Sequence, residues 1–497
     1  MTNPLFANPP WRGADLGRPL PESVHAVSVA LPRWRDVVGY EEKDPAVLTR
    51  LACGYPRFVI HSLVRAVARA LGGTDGRSLP FPSLRAAEEC AAYIRRTTGE
   101  PASLRPASGP ETGGARLVCV TTSETGAPAL LAFWQHTGLI VSTRRAEAFL
   151  AGKQEAAVAA SGEEHASLRR QLAGFYGCAP DDVFLAPTGM AAQLAALRAV
   201  RARSPGLQTA QLGFPYVDTL KLQQKFGDGV TLLHRLSTVG EDLRSLLASH
   251  PLAACFCEIP GNPTLGSADV REVTPVLRAR RVPLVVDDVV ATPVNVDLSA
   301  HADLIVTSLT KYIAGTGDVM GGAVICNPQS PYYRELKPLV AAGHEELLWS
   351  GDTAVIDANA AGFPERMRRH NANGLYLAER LRAHPAVERV WYPKWEFSEA
   401  YEAVRRPDGG WGSLITFLPR NAETEAPRIY DALAYCKGPS LGTVFTLACP
   451  FTLMAHYTEL EWVESCGVPS HLLRISAGLE DPQDLWHRLE AALAEQP

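Results

Sequence analysis

The residues 308–322, SLTKYIAGTGDVMGG, contain a lysine with the surroundings of a covalent catalytic group. Lys311 follows an apolar run that fits a buried strand, is flanked by the hydroxyls of Ser308 and Thr310, and is followed by glycines. A lysine amine can form a Schiff base with an aldehyde cofactor and can carry protons once a substrate amine displaces it. A single lysine after a strand is usually a solvated charge, but this pattern favours catalysis.

Two further charged residues lie in apolar surroundings. Asp287 ends the run in residues 285–293, VVDDVVATP, where the protonated nitrogen of a pyridinium ring would keep it ionised and strengthen an electron sink. A helix cap or a turn acid is the alternative. Arg474 stands in a strand-like run, where its guanidinium needs an acceptor: the carboxylate of an amino-acid substrate, or an internal Asp or Glu.

Three positions that follow strand-like runs carry weaker signals. Gly189 and Met190 open a helical stretch, where unpaired N–H groups could hold a phosphate. Tyr216 could stack on a flat cofactor, and its alternative is a half-buried core tyrosine. Asn262 could bond a ring oxygen, or it could be an Asn-Pro turn residue.

The elements that must position these residues can be read from the apolar pattern. Short apolar runs alternate with helical stretches and predict a parallel sheet covered by helices, with strands at 183–186, 209–212, 253–257, 282–286 and 304–306. Because ligands bind outside the carboxyl ends of such strands, the polar residues that follow them form one candidate site. Further along, we predict strands at 413–418 and 472–475 and a last helix from near Asp481.

The length of 497 residues allows two or three domains at about 150 residues each. We predict an N-terminal extension domain with its linker at 1–135, a large cofactor domain at 136–344 and a C-terminal α/β domain at 345–497. Residues 59–71 are helix-like, and residues 97–114, rich in Pro, Gly, Ser and Thr, predict the linker.

Composition narrows the function. A net charge of −5 gives no general attraction to nucleic acid, so the expected partners are small molecules. The N-terminus lacks the basic start and the continuous apolar core that are typical of a signal peptide. No uncharged run reaches the roughly 18 residues that span a bilayer. We therefore expect a cytoplasmic protein without a membrane partner. The ten cysteines lack paired metal-ligand spacing, so we expect free thiols and no metal site.

Taken together, the motifs resemble the family of cystathionine γ-synthase, cystathionine lyases and methionine γ-lyase over residues 134–495, in collinear order. The resemblance implies the type I fold of PLP-dependent transferases, similar to aspartate aminotransferase, with pyridoxal 5′-phosphate bound to Lys311. It also implies a pyridinium partner, a stacking tyrosine that assists catalysis, a ring-oxygen contact, a phosphate cradle and a substrate-carboxylate site. The implied pyridinium partner is Asp287, the stacking tyrosine is Tyr216 and the ring-oxygen contact is Asn262. The implied phosphate cradle consists of Gly189, Met190, Ser308 and Thr310. The implied substrate-carboxylate site consists of Ser440 and Arg474.

In this family a tyrosine and an arginine two residues later reach the phosphate of the neighbouring subunit. Residues 133–144 resemble that segment, with Ser142 in the place of the tyrosine and Arg144 as the arginine. The resemblance therefore implies a homodimer or homotetramer. The long N-terminal region, including residues 25–29 and 54–58, resembles the extension of fungal-type cystathionine γ-synthases.

The expected reaction is γ-substitution on an activated homoserine ester, with cysteine as the nucleophile and cystathionine as the product. Three alternatives remain open at this point. The enzyme could serve secondary metabolism with another nucleophile, or it could be a cystathionine or methionine lyase. From a different class, the chain could be a non-catalytic PLP-binding regulatory protein.

Overall fold

The computed structural model describes residues 3–107, 116–153 and 162–494, and its centre is a seven-stranded sheet. From one edge to the other the strands are Val183–Ala186, Gly322–Cys326, Leu304–Ser308, Leu284–Asp287, Ala254–Glu258, Thr209–Leu212 and Val230–Leu233. The last five are mutually parallel, and Gly322–Cys326 runs antiparallel to both of its neighbours. The predicted strands are confirmed to within two residues at either end.

Both faces of this sheet are buried, as the continuous apolar runs predicted. Two consecutive residues of one strand, Cys255 and Phe256, pack in different hydrophobic clusters on opposite faces of the sheet. Helices cover the faces at Glu163–Tyr176, Gly189–Arg203, Val217–Phe226, Val239–Ser249, Val270–Ala279, Tyr333–Gly343 and Ser350–Ala360. The predicted α/β class is therefore confirmed, with a mixed sheet at its centre.

The C-terminal part is a five-stranded sheet in the order Val387–Trp391, Leu414–Pro419, Leu473–Ser476, Leu447–Cys449 and Cys436–Lys437. Helices Phe363–Ala383, Ala422–Ala432, Phe451–His456 and Pro482–Leu493 accompany it. The last helix begins where the sequence predicted: the Asp481 side chain caps it, and Leu485 and Leu489 are fully buried. Arg474 lies in Leu473–Ser476, the third of the five strands.

The N-terminal region differs from the prediction of a domain that ends in a linker. Strand Ala102–Pro106, inside the predicted linker, pairs with Val118–Thr122, which also pairs with Ser78–Phe81. Residues 108–114 of that linker lie outside the described residues. The predicted boundary at 135 falls inside helix Ala127–Thr137. Other helices of the region are Trp34–Glu41, Ser62–Ala70, Leu84–Thr98 and Thr143–Leu150.

The N-terminal region shares cores with both other parts of the chain. Leu31 and Val37 pack in one cluster with Ile415 of the C-terminal sheet. Trp134 packs in a second cluster with Leu197 of the large domain. Within the described ranges, no helix is long and apolar enough to cross a membrane.

Candidate active site

The polar residues predicted to do chemistry gather at the carboxyl edge of the large sheet. Gly189 begins a helix just after strand Val183–Ala186, and the Thr188 hydroxyl caps that helix by accepting from the Ala191 amide at 3.0 Å. Asp287 and Ser308 are the last residues of two adjacent parallel strands. The strand order thus brings together groups that are far apart in sequence.

The side chain of Lys311 lies between two hydroxyl groups. Its Nζ is 2.9 Å from Ser440 Oγ and 3.3 Å from the hydroxyl of Tyr55, and it lies 4.6 Å from the centre of the Tyr55 ring. Burial lowers the pKa of Lys311, and the nearby charges of Arg474 and Arg57 lower it further, although Tyr55 opposes them. The amine is therefore easier to deprotonate than a lysine in water.

Asp287 is held by two donors, Gln193 Nε2 at 2.8 Å and the Val289 amide at 2.9 Å. Burial raises the pKa of Asp287 to about 6, so the carboxylate lacks a full positive charge to stabilise it. Gln193, one helical turn beyond Gly189, is buried, and its Oε1 has no hydrogen-bond partner. Gln193 was not among the predicted site residues, although its position on the same helix as Gly189 was a usable signal.

At the predicted phosphate site, the backbone of Gly189 lies close to Ser308. A Cβ on Gly189 would lie 2.8 Å from Ser308 Cβ and 3.1 Å from Ser308 Oγ, so only glycine fits there. The Thr310 hydroxyl is turned toward the backbone of Gly321, where it accepts from the amide at 3.1 Å. Met190 is buried in the first turn of the helix.

The Arg474 guanidinium donates hydrogen bonds to two neutral groups. Its Nη1 donates to Asn262 Oδ1 at 3.1 Å and its Nη2 to the carbonyl of Ser440 at 2.8 Å, while the guanidinium lies 4.6 Å from the Phe451 ring centre. These contacts orient the buried guanidinium without neutralising its charge. Ser440 has a φ of 97°, a strained conformation for a non-glycine residue.

Residues 54–58, predicted only to belong to an N-terminal extension, lie at the site. Tyr55 meets Lys311, and the buried Arg57 donates to the Tyr216 hydroxyl and to Asp218. Asp218, fully buried, also bonds His136 Nδ1 at 2.9 Å. An arginine between aromatic residues was the available signal.

The segment predicted to reach a neighbouring subunit is engaged within its own chain. Ser142 caps helix Thr143–Leu150, accepting from the Arg145 amide at 3.1 Å, and its hydroxyl donates to Asp352. Arg144 pairs with Asp318 at 2.9 Å and with Asp352 at 3.6 Å. Within its own chain, Arg144 does not join the residues around Lys311.

The raised pKa of Asp287 predicts how the cofactor-free protein responds to pH. A folded-state pKa of about 6 means that the protonated carboxyl favours the folded state, and this contribution is lost as pH rises through about 6. The protonated Asp287 carboxyl contributes on the order of 2 kcal/mol to the free energy of unfolding. Asp287→Asn should therefore reduce the fall in Tm between about pH 4 and about pH 6 in thermal unfolding. Asp75→Asn, at an exposed acid, is the matched control, and equal slopes for both variants would contradict the assignment.

Comparison with known proteins agrees with this geometry. Residues 163–494 match the family described as Cys/Met metabolism PLP-dependent enzymes, and residues 59–142 match the N-terminal domain of a fungal trans-sulfuration enzyme. The first match covers the residues predicted to bind the cofactor except Arg144. The second begins at residue 59, just after the stretches 25–29 and 54–58 that resemble the fungal extension, and covers the rest of the N-terminal region.

Relatives of similar length are found in fungi and bacteria. The chain is 33% identical to cystathionine gamma-synthase of Neurospora crassa, over 96% of this chain and 98% of the relative. It is 36% identical to L-2-amino-4-chloropent-4-enoate dechlorinase/desaturase of Streptantibioticus cattleyicolor, over 94% and 95%. The structure of cystathionine gamma synthase from Xanthomonas oryzae pv. oryzae with aminoacrylate and cysteine superposes with a TM-score of 0.59 at 28% identity, over 67% of this chain and 86% of that one.

Proposed function

Because this chain belongs to the Cys/Met metabolism PLP-dependent enzymes, we propose that it catalyses γ-substitution on an activated homoserine ester. Cysteine is the proposed nucleophile and cystathionine the product. The observation that carries the proposal is that Ser440 contacts both of the residues assigned to the substrate. Its Oγ accepts from Lys311 Nζ at 2.9 Å, and its carbonyl accepts from Arg474 Nη2 at 2.8 Å. A proton-carrying amine and a carboxylate clamp thus lie on either side of one residue.

The residues at the carboxyl edge fit pyridoxal phosphate. The helix start at Gly189 and Met190, with Ser308 and Thr310, would hold the phosphate, because free N–H groups and hydroxyls stabilise an anion there. Asp287 would bind the pyridinium nitrogen. The ring's positive charge would supply what the raised pKa of Asp287 shows to be missing.

Two further residues would position the flat ring. Tyr216, bonded through its hydroxyl to Arg57 and through its amide to Glu258 at 2.7 Å, is the proposed stacking residue. Asn262 uses Oδ1 toward Arg474 and keeps its Nδ2 donors for a ring oxygen. When bound, the cofactor supplies an electron sink for charge developing on the substrate.

The chain's own groups then account for the proton transfers. Arg474 fixes the substrate carboxylate with a charge-assisted contact, which sets the position of the α-carbon. Lys311, with its lowered pKa, takes the α-proton and then helps remove a β-proton. Ser440 orients Lys311 Nζ for both transfers. The γ-leaving group departs and the nucleophile adds at the γ-carbon.

A panel of nucleophiles tests the proposed reaction. With an activated homoserine ester alone, ketoacid release should be slow, and added cysteine should divert the flux into an amino-acid product measured by mass spectrometry. Another nucleophile that is consumed in preference to cysteine would instead show a specialised γ-substitution enzyme. The Lys311→Ala protein is the control for uncatalysed chemistry.

A second candidate is loss of the γ-leaving group without substitution. The 36% identity to a dechlorinase/desaturase favours it, because that relative's name describes removal of a leaving group and formation of a double bond. Rapid ketoacid release or desaturated product that no nucleophile suppresses would support this candidate and overturn the synthase proposal.

The assembly and location also belong to the proposal. We expect a homodimer or homotetramer in the cytoplasm, with Arg144 at a neighbouring phosphate. Light scattering that finds an active monomer would contradict the expected assembly.

A further inference from the structure

The N-terminal region crosses the active site between two anchored parts. Apart from Val27, its core residues up to Cys53 pack mainly with the C-terminal part, where Lys437 Nζ donates to the Pro32 carbonyl at 2.8 Å and the Tyr430 hydroxyl to the Leu31 carbonyl at 2.7 Å. From Val64 onward it packs with the large domain. The short segment 54–58 connects these parts and has little freedom to leave the site.

Local contacts fix the conformation of this crossing segment. The amides of Phe58 and Val59 both donate to the Tyr55 carbonyl at 2.9 Å, which closes a turn. Trp134 Nε1 donates to the Pro56 carbonyl at 3.3 Å. A Cβ on Gly54 would come within 2.6 Å of Val59, so the turn closes only on a glycine there.

Arg57 connects this turn to the large domain through buried polar groups. Its guanidinium donates to Asp218, to the Tyr216 hydroxyl and to the Gln135 carbonyl, the last at 2.7 Å. It also lies over two phenol rings, 5.4 Å from the centre of Tyr55 and 5.6 Å from that of Tyr216. With three hydrogen-bond partners, Arg57 cannot rotate without breaking a buried ion pair.

The charges around Tyr55 favour its ionised form. Burial alone would raise the pKa of Tyr55, but the positive charges of Lys311 and Arg57 outweigh burial and hold the pKa below its usual value. The groups facing Lys311 are Tyr55, Arg57 and Arg474, and those behind Arg57 are Tyr216, Asp218 and His136. A phenol in this position can exchange a proton with the lysine amine.

We propose that Tyr55 is the proton partner of Lys311 and that the N-terminal segment 54–58 supplies it to the active site of its own chain, with Arg57 as the positioning residue. The inference deepens the proposed function, on which its catalytic consequence rests. It gives the extension a chemical role and replaces the phenol that Ser142 lacks.

The first test measures Lys311 in the cofactor-free protein and needs no turnover. The pH dependence of its labelling by an amine-reactive acylating reagent, read by peptide mass spectrometry, gives a midpoint. Tyr55→Phe should move this midpoint to lower pH, because the phenol stabilises the charged amine. Tyr333→Phe removes the phenol from another Tyr–Lys pair, at Lys337, and should leave Lys311 unchanged. A Tyr55→Phe midpoint equal to that of wild type, in a protein with unchanged circular dichroism, would overturn the proposal.

The second test asks which chain supplies the phenol. Differently tagged Lys311→Ala and Tyr55→Phe chains are co-expressed, and mixed oligomers are isolated through both tags. Supply within one chain predicts that Lys311 in the mixed oligomer keeps the shifted Tyr55→Phe midpoint. A fraction with the wild-type midpoint would show supply from the partner and refute the proposal, whereas a chain that forms no oligomers can supply Tyr55 only to itself.

The two readouts separate failure of this inference from failure of the proposed function. A shifted midpoint in a protein without γ-substitution activity would leave the Tyr55–Lys311 pair intact and remove only the reaction. If the reaction is correct, Tyr55→Phe should also lower kcat about 10²-fold and move the pH profile of kcat in the direction of the labelling midpoint. An unchanged kcat profile would exclude the proton exchange.

Discussion

Replacing Lys311 with alanine should abolish turnover and remove the yellow colour of the bound cofactor. The loss should exceed about 10³-fold in kcat, because one amine would no longer hold the cofactor or transfer protons. The geometry places no second lysine among the contacts of Ser440, so no neighbour takes its place within the part of the chain that the structure describes. Absorbance spectra and steady-state assays measure both effects.

The matched control for this variant is Lys225→Ala, at an exposed position in helix Val217–Phe226. It should keep the colour and the rate of wild type. A Lys311→Ala protein that turns over substrate at a comparable rate would contradict the assignment of Lys311.

Replacing Arg474 with alanine should produce the second large effect. Removing one partner of a buried charge contact costs about 2 to 5 kcal/mol, so kcat/KM for the amino-acid substrate should fall by about 30- to 4,000-fold. Arg474→Lys should recover only part of this loss, because an ammonium cannot bond Asn262, Ser440 and a carboxylate in the planar arrangement of a guanidinium.

A substrate control identifies the carboxylate as the ligand of Arg474. An amine that lacks the α-carboxylate should bind the variant and the wild type equally, as judged from changes in the cofactor spectrum. The exposed Arg280→Ala protein should match wild type with both compounds. If Arg474→Ala weakens both compounds to the same extent, then Arg474 supports the fold and does not bind the carboxylate.

The sequence predicted the large sheet and the residues at its edge because their signals are local. A strand apolar on both faces has one stable environment, and Asp287 or Ser308 at its end is directed to the carboxyl edge. The direction of strand Gly322–Cys326 could not be read from its apolar pattern, because that pattern is the same in either direction.

The contribution of the N-terminal region could not be predicted for a physical reason. Tyr55 and Lys311 are 256 positions apart, and their contact depends on how the region packs against two different cores. Arg144 is a second such case: the resemblance assigns it to a neighbouring phosphate, and within its own chain it pairs with Asp318 and Asp352. Neither carboxylate partner could be recognised from local pattern.

Borohydride reduction of the holo-protein tests the central assignment most directly. Reduction fixes the cofactor permanently to the lysine that carries it, and peptide mass spectrometry identifies that lysine. We expect the added mass on the peptide that contains Lys311, with the other lysines unmodified. Cofactor on another lysine, such as the buried Lys437, or on none, would contradict the account of the active site.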